Sequence, residues 1–277
     1  MTGRRWTAMI QKSAAAVAVL ASFGWLSTLA PAGTGPSTPV AVPEPKPTPS
    51  PTPTPQPPPP VDCARAKCVA LTFDDGPMPS TGKLLDILAQ QRVKVTFFLI
   101  GRNAATYPDL VRREAAEGHE LANHSWSHVD LGRSSSAKVE SELSRTQDAI
   151  RKASGVTPLL MRPPYGSTDT TVAGVAKRMK LAQVLWAVDP LDWQVRNTGT
   201  VERRVLKGVR PGMIVLMHDI HSTTVKAVPR IIERLRADGY TFVTVSQLFG
   251  KPMTPGKEYT ELEQETPEQP GQVSDRR

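Results

Sequence analysis

Apolar runs and amphipathic stretches alternate along the chain between residues 61 and 250. The short runs, rich in β-branched and aromatic residues, predict strands at residues 68–73, 95–100, 119–123, 158–162, 182–188, 213–218 and 241–245. The longer stretches repeat apolar residues every three to four positions and predict helices at residues 81–91, 107–118, 135–155, 169–180, 200–209 and 224–239. Alternation of this kind indicates an α/β fold with a mostly parallel sheet, either a barrel or a doubly wound sheet.

The first residues of the chain have the pattern of an export signal. Arg4 and Arg5 precede an apolar stretch from about Ala14 to Ala30, and the small-residue sequence Ala30-Pro31-Ala32 follows. A positive start, an apolar middle and a small-residue site predict a secretory signal peptide over residues 1–32. The alternative is an uncleaved membrane anchor, because the stretch is near the lower length limit for spanning a bilayer.

Two further segments lack the pattern of a folded core. Residues 33–60 are dominated by proline and threonine, which predicts an extended, semi-rigid linker. Residues 251–277 are polar and rich in proline and glutamate, which predicts a disordered tail. The folded domain is therefore expected at residues 61–250, which is long enough for a single hydrophobic core.

The charge of the chain narrows the class of its binding partner. The chain has a formal net charge of +8, and its basic residues are scattered rather than grouped in a stripe. With export predicted, an anionic cell wall suits this charge better than a nucleic acid does.

Cys63 and Cys68 are the chain's two cysteines. They form either a small disulfide loop or two free thiols, and their number and spacing argue against a structural zinc site.

Unusual polar residues follow most of the predicted strands. Five clusters stand directly after the first, third, fourth, fifth and sixth strands, at Asp74-Asp75, His124–His128, Arg162–Gly166, Asp189–Trp193 and His218-Asp219. In barrels and doubly wound sheets, functional residues gather at the carboxyl ends of parallel strands. The sequence therefore predicts one site built from these clusters.

Two of the clusters suggest a metal. His124 and His128 are four residues apart, so a helix or tight turn would place both imidazoles on one side, although two surface histidines can have this spacing by chance. Two imidazoles and one carboxylate leave an open coordination position, as in catalytic zinc sites. Asp74 and Asp75 could then divide two roles, one as ligand and one as general base. The alternative is that Asp-Asp-Gly-Pro is only a turn.

The remaining clusters suggest acid–base chemistry. Arg162, held by two prolines, could bind a carboxylate through a bidentate pair. The sequences DPLDW and LMHD supply a further acid and His218. A carboxylate bonded to His218 would raise the pKa of the imidazole and suit it to act as a general acid.

The clusters also carry a family resemblance. In order, the chain contains TFDDGP (72–77), HSWSH (124–128), RPPYG (162–166), DPLDW (189–193) and LMHD (216–219). These sequences resemble the five motifs of the NodB-type polysaccharide deacetylases, carbohydrate esterase family four, over residues 65–250. The resemblance implies a distorted (β/α) barrel of about seven strands.

The resemblance also implies a metal site and a base. Asp75, His124 and His128 would bind a divalent metal, commonly Zn²⁺, with Co²⁺ or another ion as the alternative. Asp74 would be the catalytic base, and Arg162 would orient it.

Other motif positions would handle the substrate. The backbone N–H of Tyr165 would help bind the oxyanion, and Tyr165 would contact the substrate. Asp192 would tune His218, the general acid. Trp193 and Leu216 would line the pocket for the acetyl methyl group.

These observations predict an exported, metal-dependent enzyme that removes the N-acetyl group from N-acetylglucosamine residues. Peptidoglycan is the expected polymer, and the enzyme is expected to be secreted or cell-wall associated and monomeric. The alternatives are an O-acetyl xylan esterase, a chitin-oligosaccharide deacetylase or, from another class, a non-catalytic cell-wall-binding module. No nucleic-acid partner is expected, and a membrane contact is expected only through an uncleaved N-terminal segment.

Overall fold

The computed structural model describes residues 61–263 of the chain. The predicted signal peptide, the predicted linker and the end of the predicted tail lie outside the described residues. None of the helices within residues 61–263 is long and apolar enough to cross a membrane.

A parallel sheet forms the centre of the described region. Its strands are β1 (Cys68–Asp74), β2 (Thr96–Leu99), β3 (Glu120–Asn123), β4 (Leu160–Met161), β5 (Ala182–Val184), β6 (Ile214–His218), β7 (Thr241–Phe242) and β8 (Glu258–Tyr259). Their spatial order is β6-β1-β2-β3-β4-β5-β8, and β7 pairs with β1. Every residue of β1 is buried. Its continuous apolar run is thus that of a parallel strand covered on both faces.

The sheet curls until its two ends meet. The chain continuing from β5 bonds to β6, where Ala187 N–H donates to Ile214 O at 3.0 Å and Leu216 N–H donates to Val188 O at 2.9 Å. The result is a distorted (β/α) barrel, and the fold prediction is confirmed.

Helices cover the outside of the sheet. They are α1 (Pro79–Gln91), α2 (Gly101–Thr106), α3 (Pro108–Ala116), α4 (Ser136–Ser154), α5 (Thr170–Arg178), α6 (Asp192–Val195), α7 (Thr198–Gly208), α8 (Ser222–Ala237) and α9 (Val245–Phe249). All six predicted helices are present. The short helices α2, α6 and α9 were not predicted, because one or two turns carry too few residues to show a helical period.

The folded region extends beyond residue 250, which corrects the predicted start of the disordered tail. Gln183 and Val184 of β5 pair with Glu258 and Tyr259 of β8. Tyr259 and Leu262 pack against buried apolar residues. The sequence did not predict this packing, because the residues around them are polar and rich in proline. Pairing with β8 also covers the edge of β5, which would otherwise leave backbone groups unpaired.

A disulfide closes the loop before the first strand. Cys63 and Cys68 are bonded, with Cα atoms 5.4 Å apart. Of the two alternatives left open by the sequence, the structure therefore has the disulfide.

Candidate active site

The carboxyl ends of the strands surround one pocket of about 410 Å³. Its lining residues are Asp74, Asp75, His124, His128, Pro163, Tyr165, Trp186, Asp189, Trp193, Leu216 and His218. The structure thus brings together eight of the ten predicted site residues at the pocket surface. The other two, Arg162 and Asp192, are fully buried and contact pocket residues from behind.

The two adjacent acids both face the pocket because the strand ends between them. β1 ends at Asp74, and Asp75 has a left-handed backbone with φ of 75°. Aspartate tolerates this conformation better than most residues. Asn103 Nδ2 donates to the carbonyl oxygen of Asp75 at 2.7 Å and fixes the turn. The side chains therefore do not point to opposite faces, as they would in a continuing strand.

Asp219, the other acid of the last cluster, lies away from the pocket. It is fully buried and accepts a hydrogen bond from the Thr81 hydroxyl of α1. A Cβ atom at Gly76 would lie 2.6 Å from the Asp219 carboxylate. Glycine is thus needed at position 76 for the turn to pack against this acid.

Asp75, His124 and His128 converge on one point. Asp75 Oδ1 lies 3.6 Å from His124 Nε2 and 3.4 Å from His128 Nε2. The same Oδ1 atom is buried and has no hydrogen-bond partner among the described residues. A buried carboxylate oxygen facing two imidazole nitrogens without a hydrogen bond is the arrangement expected around a cation.

The protonation of His124 also suits a metal ligand. Its Nδ1 lies 2.8 Å from the carbonyl oxygen of Arg162, so Nδ1–H donates and the lone pair of Nε2 faces Asp75. Burial, which outweighs the charge of Asp75, lowers the pKa of His124 to about 3. Metal binding requires neutral imidazole and ionised carboxylate. The residues therefore fit a divalent cation with an open coordination position.

The loop between the two histidines is held by Glu142, which the sequence reading missed. Both the N–H and the hydroxyl of Ser127 donate to Glu142, at 2.8 and 2.9 Å. Lys138 pairs with the same carboxylate at 2.8 Å. The available signal was an acid on the buried face of α4, in line with Val139 and Leu143.

Arg162 holds Asp74 through one oxygen. Arg162 Nη1 donates to Asp74 Oδ1 at 2.6 Å and to Thr72 Oγ1 at 2.8 Å, so the predicted bidentate pair is wrong. The other guanidinium nitrogens donate to the carbonyl oxygens of Val184 and Leu185 at 3.1 and 2.9 Å, which explains why only Nη1 reaches the acid. Burial raises the pKa of Asp74, and the charge of Arg162 opposes this effect. A raised pKa makes a carboxylate a better proton acceptor.

His218 is paired with Asp192. His218 Nδ1 lies 2.8 Å from Asp192 Oδ1, while Asp192 Oδ2 accepts from His218 N–H at 2.8 Å and from the Thr224 hydroxyl at 2.7 Å. Burial lowers the pKa of His218, but the hydrogen bond and charge of Asp192, together with the charges of Asp74 and Asp75, outweigh burial and raise the pKa to about 9. His218 is therefore an imidazolium at neutral pH, and its Nε2–H is available to the pocket.

Substituting Asp192→Asn should move the alkaline limit of activity to lower pH. His218 must be protonated to act as an acid, so activity falls as pH rises through its pKa. Without the Asp192 carboxylate, burial still lowers the pKa of His218 and the charges of Asp74 and Asp75 still raise it, so the pKa should fall from about 9 toward its ordinary value of about 6.5. The pH dependence of kcat, measured with the same metal in both proteins, should shift by at least about one unit.

Asp189→Asn is the matched control for that shift. Asp189 lines the same pocket but accepts its hydrogen bond from Leu191 N–H rather than from His218. It should move the alkaline limit less than Asp192→Asn does. Equal shifts in both variants would contradict a specific Asp192–His218 pair.

The predicted substrate residues lie at the floor and rim of the pocket. Leu216 is buried, whereas Trp193 and Tyr165 are 48% and 70% exposed. Trp186 and Pro163 also line the pocket and were not predicted. The strand predicted at residues 182–188 includes Trp186, but β5 ends at Val184, so Trp186 is free to turn toward the pocket.

One end of the distorted parallel barrel thus carries two imidazoles, a carboxylate oxygen without a hydrogen bond, and two buried pairs of acidic and basic side chains. This combination of groups is expected of a metal-assisted hydrolase. The family model for polysaccharide deacetylase matches residues 62–184. The chain belongs to the polysaccharide deacetylase family, as the motifs predicted.

Similar proteins agree with this membership. The chain is 43% identical over 194 residues to the peptidoglycan-N-acetylglucosamine deacetylase PgdA of Listeria monocytogenes, covering 70% of this chain and 41% of that protein. It is 39% identical over 203 residues to a chitooligosaccharide deacetylase of Bradyrhizobium, covering 68% of this chain and 93% of that protein. The solved structure of T48 deacetylase with substrate superposes with a TM-score of 0.69 at 44% identity, covering 72% of this chain and 99% of that one. The chain thus spans about two-fifths of the length of the first of these relatives.

Proposed function

We propose that this protein is an exported, metal-dependent deacetylase that hydrolyses the N-acetyl group of N-acetylglucosamine residues in peptidoglycan. The observation that carries the proposal is the convergence of three kinds of group on one pocket. These are the Asp75–His124–His128 cluster, the Arg162-held Asp74 and the Asp192-held His218.

Asp75, His124 and His128 would hold the metal. Two imidazoles and one carboxylate favour Zn²⁺, and Co²⁺ accepts the same ligand set. When bound, the ion supplies positive charge that polarises the acetyl carbonyl and lowers the pKa of water in the site.

The chain's own residues then move two protons. Asp74 takes a proton from the attacking water as the water oxygen bonds to the acetyl carbon. The Tyr165 backbone N–H stabilises the negative charge that forms on the former carbonyl oxygen. His218 gives its Nε2 proton to the sugar nitrogen as the carbon–nitrogen bond breaks. Acetate and a free amine are the products. Leu216 and Trp193 line the space proposed for the acetyl methyl group.

Export and the choice of polymer rest on separate features. The Cys63–Cys68 disulfide supports an oxidising compartment, in agreement with the signal peptide predicted for residues 1–32. A net charge of +8 favours an anionic polymer such as a cell wall. The Listeria relative is named for peptidoglycan N-acetylglucosamine.

Acetate release from peptidoglycan, chitin oligomers and acetylated xylan tests the proposal. We expect release from peptidoglycan, its loss with a chelator, and its return on adding Zn²⁺. Mass spectrometry of muramidase-digested product should place the free amine on glucosamine rather than on muramic acid.

The same panel separates the alternatives. Release mainly from acetylated xylan would indicate an O-acetyl esterase, and release mainly from chitin oligomers would indicate a chitin-oligosaccharide deacetylase. Binding to peptidoglycan without acetate release by the zinc-loaded protein would favour a non-catalytic wall-binding module.

A further inference from the structure

The two histidines of the candidate metal site have different partners on their second nitrogen. His124 Nδ1 contacts a backbone oxygen, the Arg162 carbonyl, at 2.8 Å. His128 Nδ1 instead lies 3.1 Å from a side-chain oxygen, Tyr165 Oη. The rings of His128 and Tyr165 also meet edge to face, with centroids 4.7 Å apart and an interplanar angle of 77°.

The position of His128 Nε2 determines which residue donates the His128–Tyr165 hydrogen bond. His128 Nε2 faces Asp75 Oδ1 at 3.4 Å, so Nε2 is the nitrogen turned toward the candidate metal position. A neutral imidazole that offers Nε2 to a cation carries its proton on Nδ1. Nδ1–H therefore donates, and Tyr165 Oη accepts.

The hydroxyl proton of Tyr165 then remains for another acceptor. Its contact with the carbonyl oxygen of His128 is 3.5 Å, which is long for an O–H···O hydrogen bond. Tyr165 is 70% exposed at the pocket rim. An oxygen of a bound molecule can therefore reach this proton from the open side of the pocket.

The backbone around Tyr165 fixes the position of its ring. Tyr165 has a left-handed backbone with φ of 63°, which is unusual for an aromatic residue. Pro163 and Pro164 precede it, and a Cβ atom at Gly166 would lie 3.2 Å from the Trp186 ring. Backbone strain of this kind is found where a side chain must be aimed at a site.

From this geometry we propose that the Tyr165 hydroxyl positions His128 for the metal and donates to a sugar oxygen of the bound glycan. Hydrogen-bond partners of metal-binding histidines fix ring orientation and raise ligand basicity. Here the partner is also a rim residue, so one hydroxyl group contacts both the metal ligand and the polymer. The glycan half of the inference rests on the proposed function, whereas the metal half does not.

Tyr165→Phe in the full-length protein tests both halves, because it removes the hydroxyl and keeps the ring. Zinc affinity of the metal-free protein, measured by competition with a chromophoric chelator, should fall by about 10- to 100-fold. The visible absorption of the Co²⁺-loaded protein should also change, since it reports the ligand geometry. With zinc saturating, KM for the glycan should rise while most of kcat returns.

Tyr240→Phe is the matched control. Tyr240 directly precedes β7, which pairs with the start of β1 at the opposite end of the barrel from the pocket. It should leave zinc affinity and the cobalt spectrum unchanged, and thermal unfolding of all metal-free proteins should coincide.

Each measurement can overturn a part of the inference. Unchanged zinc affinity and cobalt spectrum in Tyr165→Phe would overturn the positioning role, whatever the enzyme's substrate. Weaker zinc binding with an unchanged KM at saturating zinc would overturn the glycan contact alone. Absence of acetate release from the unmodified protein would instead count against the proposed function, while the zinc measurements would still decide the positioning role.

Discussion

Asp74→Asn should keep the metal and lose turnover, whereas Asp75→Asn should lose the metal. The two acids are adjacent in sequence but differ in surroundings. Asp74 is buried against Arg162 at 2.6 Å, and Asp75 offers an unpartnered oxygen to His124 and His128. Their substitution by the same amide therefore separates the base from the ligand.

The expected magnitudes differ as well. Without a base at position 74, kcat should fall by about 10²- to 10⁴-fold at saturating metal. Asp75→Asn removes a charged ligand, so metal affinity should fall by more than the roughly 10- to 100-fold typical of outer hydrogen-bond partners. Metal content after dialysis and acetate release at increasing Zn²⁺ measure the two effects.

Asp148→Asn provides the control for the loss of one negative charge. Asp148 is exposed on α4 and pairs with Arg151 at the surface. It should change neither metal content nor kcat. Full activity in Asp74→Asn, or full metal content in Asp75→Asn, would contradict the division of roles between the two acids.

The location of the site was predictable from sequence for a geometric reason. Parallel strands all end at the same side of a sheet, so Asp74, His124 and His218 were expected to converge once their strands were assigned. The motif resemblance then assigned roles that strand ends alone do not give.

What the sequence did not predict depends on contacts between distant segments. Glu142 holds the loop between the histidines from α4, and Thr224 supports Asp192 from 32 residues away. The spacing of apolar and polar residues within one segment does not reveal such contacts between segments. The pairing of β8 with β5 was missed for a similar reason, because two-residue strands have no period of their own.

Arg162→Met should cost more stability than any other single change at the site. Arg162 is fully buried and donates to Asp74, Thr72 and two backbone carbonyl oxygens. Methionine has a similar length but donates nothing, so the Asp74 carboxylate would stay buried without a cation. Removing one partner of a buried ion pair typically costs about 3–5 kcal/mol of unfolding free energy.

The loss should depend on pH in a defined direction. Burial already raises the pKa of Asp74, and removing the charge of Arg162 would raise it further. A carboxyl whose pKa is higher in the folded than in the unfolded state destabilises the fold as pH rises, because only the folded state retains the proton. The destabilisation by Arg162→Met should therefore be larger at pH 8 than at pH 5.5, as measured by denaturant unfolding of the metal-free protein.

The double variant Arg162→Met/Asp74→Asn isolates the buried charge. Asparagine has nearly the same shape as aspartate and stays neutral, so the double variant should be more stable than Arg162→Met at pH 8. This stability difference between the double variant and Arg162→Met should be smaller at pH 5.5 than at pH 8, because the Asp74 carboxyl in Arg162→Met takes up a proton as the pH falls. If the double variant is no more stable than Arg162→Met at pH 8, the loss of stability comes from the missing hydrogen bonds of the guanidinium and not from the Asp74 charge.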